Sequence, residues 1–290
     1  MISAQELSFL VQGPIVPETK KTIQSIKEFY PESSIILSTW DGMDTSSLLA
    51  IEKDITVVYT EDNFENYLMT KLEYAGKKFD KKGNNLHRQL ATIKKGLNFV
   101  KTKYCVKLRT DFEVTSDALL QNISKYKKFN LNNDYKYLTE RVLITGSDKN
   151  FPFFFFDFVY AGLTSDLRKI FCIDIPGREY FNYFENHIPK NISTYLGNPS
   201  FYQWIPEQYI VIASLLQNGV KIRKDIERLD WTYVDPELIG ISNLVLASNF
   251  CILQFEKIGI MPRKDSLKWL LKKNESHAKF EDWMSVYTLL

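Results

Sequence analysis

The sequence has few cysteines, and none of them lie in pairs. Cys105, Cys172 and Cys251 are odd in number and far apart. Disulfide frameworks and structural zinc sites both use paired, closely spaced cysteines, so the pattern excludes both and indicates a reducing compartment. Cys105 lies inside an apolar run and is expected to be a core residue.

Long apolar runs are also missing. No stretch approaches the roughly 18 apolar residues of a membrane span, and residues 1–6 do not resemble a secretory signal. We therefore expect a cytoplasmic protein. Basic runs at Lys77-Lys78, Lys81-Lys82 and Lys272-Lys273 leave peripheral contact with the anionic inner membrane open, although solvated surface is the simpler interpretation.

An excess of charge of one sign is absent as well. The 37 Lys and Arg residues nearly balance 35 acidic ones, which excludes nucleic acid as the main partner. No GxGxxG or GxxxxGK[ST] motif occurs, which disfavours Rossmann dinucleotide binding and P-loop hydrolysis. The dispersed histidines His87, His187 and His277, with no GxSxG motif, argue against a histidine metal site and a serine hydrolase.

What the sequence does contain is an alternation of strand and helix patterns in its first half. Strands are predicted at 8–12, 34–39, 55–59 and 104–109, and the clearest helix at 85–100. This order predicts an α/β fold with an open, mostly parallel sheet flanked by helices. The second half is irregular and rich in aromatics. It contains a predicted strand at 153–160, a loop region at 174–205, a tentative strand at 221–223, and helices at 163–172, 206–216 and 266–273. A single domain over 1–290 is the simplest interpretation.

The fourth predicted strand carries an unusual row of charges. Lys107, Arg109, Asp111 and Glu113 alternate, so in extended conformation they share one face. The two cations can hold a diphosphate. Asp111 can bind a hard cation, with Glu113 as the weaker candidate ligand. A partly buried salt-bridge ladder is the alternative interpretation.

Two more groups of polar residues lie where such a sheet presents its ligands, beyond the carboxyl ends of its strands. The predicted helix has a polar face of Asn85, Arg88, Gln89 and Thr92. Asn85 and Arg88 lie at its N-terminal end, where the helix dipole and the guanidinium favour binding of a phosphate. Gln12 and Gly13 after the first strand, and Asp41 after the second, can hold a base and a ribose. Plain turns and an ordinary solvent face remain the alternatives.

Two carboxylates in the second half are candidates for acid–base work. Asp157 lies among phenylalanines and must face a partner or a cleft, where it can hold sugar hydroxyls. Glu207 occupies the start of a helix opened by Pro206. It is either a general base for an acceptor hydroxyl or a residue that serves the helix dipole.

The order of these motifs resembles the WavE lipopolysaccharide-synthesis family. The resemblance rests on the segments 11–14, 36–40, 85–89 with Gly96-Leu97, 107–111, Asp157 with Gly162, 206–209, and more weakly Asn249-Phe250 with Gly259. It implies a GT-A-like fold with a nucleotide-binding half at about 1–115 and an acceptor-binding half at about 116–290. The implied activity is transfer of a sugar from a nucleotide-diphosphate donor, most simply UDP-linked, to a lipopolysaccharide, lipooligosaccharide or capsule acceptor.

Under that resemblance the candidate residues take roles. Gln12, Gly13 and Asp41 would bind the nucleoside, and Arg88, Lys107 and Arg109 would neutralise the leaving diphosphate. Asn85 and Gln89 would also bind the donor, and Asp111 would coordinate a metal or the donor sugar. Asp157 and Glu207 are the catalytic pair, acting by direct displacement. GT-A enzymes usually bind Mn²⁺ or Mg²⁺ through Asp-x-Asp, but this chain has Arg109-Thr110-Asp111. Metal ligation by Asp111 and Glu113 and metal-independent transfer are therefore both open. The rival functions are a nucleotidyltransferase and a non-catalytic carbohydrate-binding protein.

Overall fold

The computed structural model describes residues 2–48, 52–62, 72–74, 77–79, 85–127, 131, 133–181, 183, 203–229, 235–264, 267, 271 and 276–289. Within these residues no helix is long and apolar enough to cross a membrane. The side chains of the basic runs at 77–82 and 272–273 lie outside the described residues, as does most of the helix predicted at 266–273.

The strands and helices follow the predicted alternation through the first half. The strands are β1 Leu7–Gln12, β2 Ser34–Trp40, β3 Thr56–Thr60, β4 Leu72–Tyr74, β5 Lys77–Phe79, β6 Tyr104–Arg109, β7 Phe112–Val114, β8 Val142–Ile144, β9 Ser147–Asp148, β10 Val159–Leu163, β11 Phe250–Ile252, β12 Ile260–Pro262 and β13 His277–Ala278. The helices are α1 Thr19–Phe29, α2 Leu86–Leu97, α3 Ala118–Tyr126, α4 Thr164–Phe171, α5 Arg178–Phe181, α6 Pro206–Gln217, α7 Pro236–Asn249, α8 Phe255–Ile258 and α9 Phe280–Leu289.

Seven strands form the main sheet in the order β11-β8-β10-β6-β1-β2-β3. β6, β1, β2 and β3 are parallel, β10 runs antiparallel to β6 and β8, and β11 is parallel to β8. The prediction of an open, mostly parallel sheet flanked by helices is confirmed. Because β10 is antiparallel, it begins at the same sheet edge where β1, β2 and β6 end.

Helix α2 lies directly against this sheet. Its apolar stripe of Leu86, Leu90, Ile93 and Leu97 is fully buried, as the helical spacing predicts. Gly96 permits the close approach, since a Cβ there would lie 2.5 Å from Leu10 Cδ1 and 2.9 Å from Ser38 Cβ. The packing fixes the first turn of α2 beside the carboxyl edge of the sheet.

Two predictions in the second half are wrong. The strand predicted at 153–160 begins only at Val159, because the preceding phenylalanines form turns. Their backbone groups bond locally, as in Phe155 N to Phe153 O at 3.1 Å, or cross to Gly146 O at 2.9 Å from Phe156 N. Residues 221–223 have no ladder partner and are not a strand. The helices predicted at 163–172 and 206–216 are confirmed as α4 and α6.

Candidate functional site

A cavity of about 340 Å³ opens at the carboxyl edge of β1, β2 and β6. Eight of the predicted site residues meet in its wall, although they come from four separate segments. The lining residues are Gln12, Gly13, Pro14, Val16, Trp40, Asn85, Arg88, Gln89, Arg109, Thr110, Asp111, Asp157 and Lys264.

The floor near β1 is built by Gln12, Gly13 and their neighbours. Gln12 is buried, and its Nε2 donates to Thr92 Oγ1 at 3.0 Å. Thr92 is itself buried, so it holds Gln12 in place and does not join the polar face of α2 as predicted. Gly13 has a φ of +135°, and a Cβ there would lie 3.0 Å from Thr110 Oγ1. A larger residue would therefore be strained and would crowd the turn after β6.

Arg109 and Asp111 form a bidentate ion pair on the cavity wall. Arg109 Nε donates to Oδ1 at 3.0 Å and Nη2 donates to Oδ2 at 2.7 Å. The guanidinium also lies 5.5 Å from the ring centre of Phe158. Burial works against its charge, but the bonds to Asp111 outweigh burial and hold the pKa of Arg109 above its ordinary value. The Arg109 side chain is one-third exposed, so the N–H groups that Asp111 leaves free can reach an anionic ligand.

The prediction that Lys107, Arg109, Asp111 and Glu113 share one face of a strand is wrong for the two carboxylates. The main-sheet strand ends there, the chain turns at Thr110 and Asp111, and Glu113 belongs to β7 in a separate two-stranded ladder. Strict alternation of sides requires an uninterrupted strand. Glu113 lies outside the cavity wall and forms an ion pair with Arg263.

Arg88 lines the cavity from the first turn of α2. Its guanidinium pairs with Asp62, at 3.0 Å from Nε and 2.7 Å from Nη2, and lies 5.6 Å from the ring centre of Trp40. Trp40 is part of the wall, whereas the adjacent Asp41 is exposed and does not line the cavity. β2 ends at Trp40 and Asp41 lies in the turn that follows, so the ring and not the predicted carboxylate lines the cavity.

Behind the wall lies a buried lysine. Lys107 is fully buried, and its ammonium donates to the backbone carbonyl of Asp157. Burial lowers the pKa of Lys107 to about 8, against the opposing charge of Asp157. The Asp157 carboxylate accepts a hydrogen bond from Gln89 Nε2. A hydrogen bond from Gln89 on α2 therefore fixes the carboxylate of Asp157, and a hydrogen bond from Lys107 on β6 fixes its backbone.

Glu207 approaches the same group from the first turn of α6. Burial, and next the negative charge of Asp157, raise the pKa of Glu207 to about 8, although Arg109 and Lys107 oppose the shift. A carboxyl group with such a pKa exchanges its proton near neutral pH, as general acid–base catalysis requires. The charges of Lys107, Asp157 and Glu207 thus influence one another and that of Arg109, although Glu207 itself does not line the cavity.

The two carboxylates predicted to bind a divalent cation are already engaged. Both oxygens of Asp111 accept from Arg109, and Glu113 pairs with Arg263. In the described ranges no group of three or more His, Cys, Asp or Glu side chains could hold a metal ion. Hard cations need several oxygen ligands. This donor set does not fit a resident divalent cation well, and metal ligation by Asp111 and Glu113 stays a prediction.

Comparison with known families gives the context for this site. The model of WavE lipopolysaccharide synthesis matches residues 7–290, nearly the whole chain. The chain belongs to the WavE family. The family resemblance inferred from the motifs is thereby confirmed, and it assigns this WavE protein to lipopolysaccharide synthesis. A search of curated protein sequences found no match.

Solved structures similar to this WavE protein are distant. One is 4-diphosphocytidyl-2C-methyl-D-erythritol synthase from Anaerococcus prevotii DSM 20548, at 11% identity and a TM-score of 0.34, covering 63% of this chain and 84% of that one. Another is the apo-form glycosyltransferase GlyE of Streptococcus pneumoniae TIGR4, at 11% identity and a TM-score of 0.38, covering 97% of this chain and 59% of that one. Similarities this weak carry no argument about activity.

Five described residues that line the cavity were not predicted as site residues, among them Trp40 and Lys264. Trp40 has a signal in the sequence, because it stands at the end of a strand directly before Asp41. Lys264 had no local signal, because it reaches the wall through a ladder between β12 and β7, which are distant in sequence.

Proposed function

We propose that this WavE protein is a glycosyltransferase that moves a sugar from a nucleotide-diphosphate donor, most simply UDP-linked, to a glycolipid or oligosaccharide acceptor of lipopolysaccharide, lipooligosaccharide or capsule synthesis. The observation that carries the proposal is the cavity whose wall holds Arg88, Arg109, Asp111 and Asp157 together. Glu207 is electrostatically coupled to Asp157 and Arg109. Family membership supports the same function.

The donor would lie along the carboxyl edge of the sheet. Gln12, Gly13 and the ring of Trp40 line the part of the cavity nearest β1 and β2, where a nucleoside fits between backbone and aromatic surface. Arg88 and Arg109 would meet the diphosphate. Their preorganised guanidinium groups would stabilise the negative charge that develops on the leaving nucleotide in the transition state.

The acceptor hydroxyl would lose its proton to the carboxylate pair. In this proposal Glu207 is the base and Asp157, fixed by Gln89, orients the hydroxyl that attacks the sugar. The oxygen forms the new glycosidic bond as the bond to the nucleotide diphosphate breaks, and Glu207 holds the proton. This direct displacement would invert the sugar stereochemistry.

A divalent cation, when bound, would supply further positive charge at the diphosphate. Asp111 would be its first ligand and Glu113 the weaker candidate, but each would have to leave its arginine. The contacts of the described residues favour neutralisation by arginine, and we adopt a metal-independent reaction.

The two rival functions fit the site less well. A nucleotidyltransferase would be favoured by a basic, glycine-rich loop after β1, but Pro14 and Val16 line the cavity there. A non-catalytic carbohydrate-binding protein would have no use for a buried Lys107 beside a carboxyl group, Glu207, that titrates at about 8.

The proposal is tested by incubating the protein with a panel of nucleotide sugars, with and without Mn²⁺ or Mg²⁺, and following nucleotide release. We expect one donor to be turned over, and Arg109→Ala and Asp111→Ala to abolish turnover. Absence of binding and turnover for every donor, with both variants unchanged in ligand response and thermal stability, would overturn the proposal.

A further inference from the structure

We infer that Lys264, contributed by the C-terminal part of the chain, is a binding residue for the diphosphate of the donor. The inference deepens the proposed function and rests on it. Lys264 is the cavity-wall residue that comes from farthest along the chain, and its side chain is exposed to the cavity opening.

Lys264 is held at the wall by a short ladder. β12 pairs antiparallel with β7, so that Met261 faces Glu113 and Pro262 faces Phe112. The ladder continues beyond β12, because Arg263 N donates to Asp111 O at 2.9 Å. Lys264 therefore follows directly on a residue whose backbone is bonded to the Arg109–Asp111 turn.

An ion pair strengthens the same connection. The Arg263 guanidinium bonds to the Glu113 carboxylate, and both side chains are about three-quarters buried, at 26% and 29% exposure. The pair joins the segment before Lys264 to the strand after Asp111. Glu113, which the charge pattern made a candidate metal ligand, is thus placed to act as a positioning residue for a cation.

Charge balance is the reason that Lys264 matters to an anionic ligand. Among the described residues three cations line the cavity: Arg88, Arg109 and Lys264. Arg88 is compensated by Asp62 and Arg109 by Asp111. Lys264 makes no ion pair within the described part of the chain, so it supplies positive charge that a diphosphate does not have to share with a carboxylate.

The experiment measures binding of inorganic pyrophosphate, of UDP, GDP and CDP, and of the neutral nucleosides to the full chain. Lys264→Met removes the charge and keeps the aliphatic stem. Lys21→Met, at an exposed position of α1 outside the cavity, is the matched control. We expect Lys264→Met to weaken pyrophosphate and the preferred nucleoside diphosphate by about tenfold. Nucleoside binding and the behaviour of Lys21→Met should stay as in wild type.

The outcomes separate the two proposals. If wild type binds no nucleoside diphosphate and no pyrophosphate, the proposed function fails. If wild type binds them and Lys264→Met binds them equally well, or loses nucleoside binding in the same proportion, the role of Lys264 fails while the proposed function stands.

A double-mutant comparison tests the positioning role of Glu113. Glu113→Gln should weaken pyrophosphate binding, but it should add nothing further in the Lys264→Met background, because it acts only through the lysine. Glu113→Asp should restore part of the affinity. Equal losses from Glu113→Gln in both backgrounds would show a general structural effect and would overturn the coupling.

Discussion

The Arg109 guanidinium holds the carboxylate of Asp111, two residues along the chain, through two nearly parallel hydrogen bonds of 3.0 and 2.7 Å. The pair fixes the plane of the guanidinium at the point where the main-sheet strand ends. An arginine oriented in this way can present its remaining donors to a phosphate without reorganising when the ligand arrives.

Arg109→Lys should lower kcat/KM for nucleotide release by about a hundredfold, because lysine keeps the charge but loses the planar fork. Steady-state kinetics with the preferred donor measure the effect. Arg168→Lys is the matched control, since Arg168 bonds to the carbonyls of Leu97 and Val100 and does not line the cavity. Full activity in Arg109→Lys would mean that charge alone suffices.

Glu207→Gln should lower kcat by roughly a hundredfold to ten-thousandfold, as expected for loss of a general base, with little change in donor affinity. The chain offers a close control in Glu237→Gln. Glu237 also follows the proline that opens a helix, but it is exposed on α7, where it pairs with Arg223. Equal rates for both variants would limit Glu207 to a helix-dipole role.

The pH dependence should follow the coupled carboxyl group. Since the pKa of Glu207 is about 8, the rate should rise with pH through about 8, where half of the base is ionised, and level off above it. Lys107→Met removes a cation that stabilises the ionised form, so the rising limb should move to higher pH. A pH profile of kcat checks this, and an unchanged or acid-shifted limb in Lys107→Met would contradict it.

Activity should persist when divalent cations are chelated. Asp111 and Glu113 are both paired with arginine, and we propose that arginine supplies the charge that a metal supplies elsewhere. The assay is nucleotide release after dialysis against EDTA, with magnesium or manganese then restored. Loss of turnover that either metal reverses would show that Asp111 releases Arg109 to bind a cation.

Asn249→Ala should destabilise the fold by about 3 kcal/mol, because removal of the buried side-chain amide leaves several buried backbone groups without hydrogen-bond partners. Asn249 Oδ1 accepts from the backbone N–H of Tyr137 and Leu138, at 2.9 and 3.0 Å, and Nδ2 donates to Tyr135 O at 2.8 Å. Urea unfolding measures the change. Asn243→Ala on the same helix, partly exposed, should change stability by less than about 0.5 kcal/mol.

A large loss of affinity for donor in folded Asn249→Ala protein would contradict this structural role. The Asn249-Phe250 motif that contributed to the family resemblance is explained by structure: the asparagine fastens residues 135–138, and Phe250 begins an edge strand of the sheet.

The sequence predicts those parts of the molecule whose pattern is local. The stripe from Leu86 to Leu97 specifies α2, and the apolar runs before Gln12 and Arg109 specify β1 and β6. Since parallel strands end at one edge, the meeting of Gln12, Arg88 and Arg109 follows from topology alone.

The position of Glu113 could not be predicted, because it depends on where the chain leaves the main sheet. The turn at Thr110 and Asp111 sends Glu113 into another ladder, and no local pattern in the alternating charges marks that turn. Burial is also a tertiary property. Glu207 and Glu237 share the same local context, and only packing gives one of them a raised pKa near the cavity.

The ladder between β7 and β12 has a consequence for synthesis of the protein on the ribosome. β1 and β2 emerge early, but the cavity lacks its last wall until the segment ending in Lys264 has been translated and has paired with β7. A nascent or prematurely terminated chain thus has most of its sheet sequence before it has a complete cavity wall. Under the proposed function, unfinished chains would bind the sugar donor less well than the finished protein.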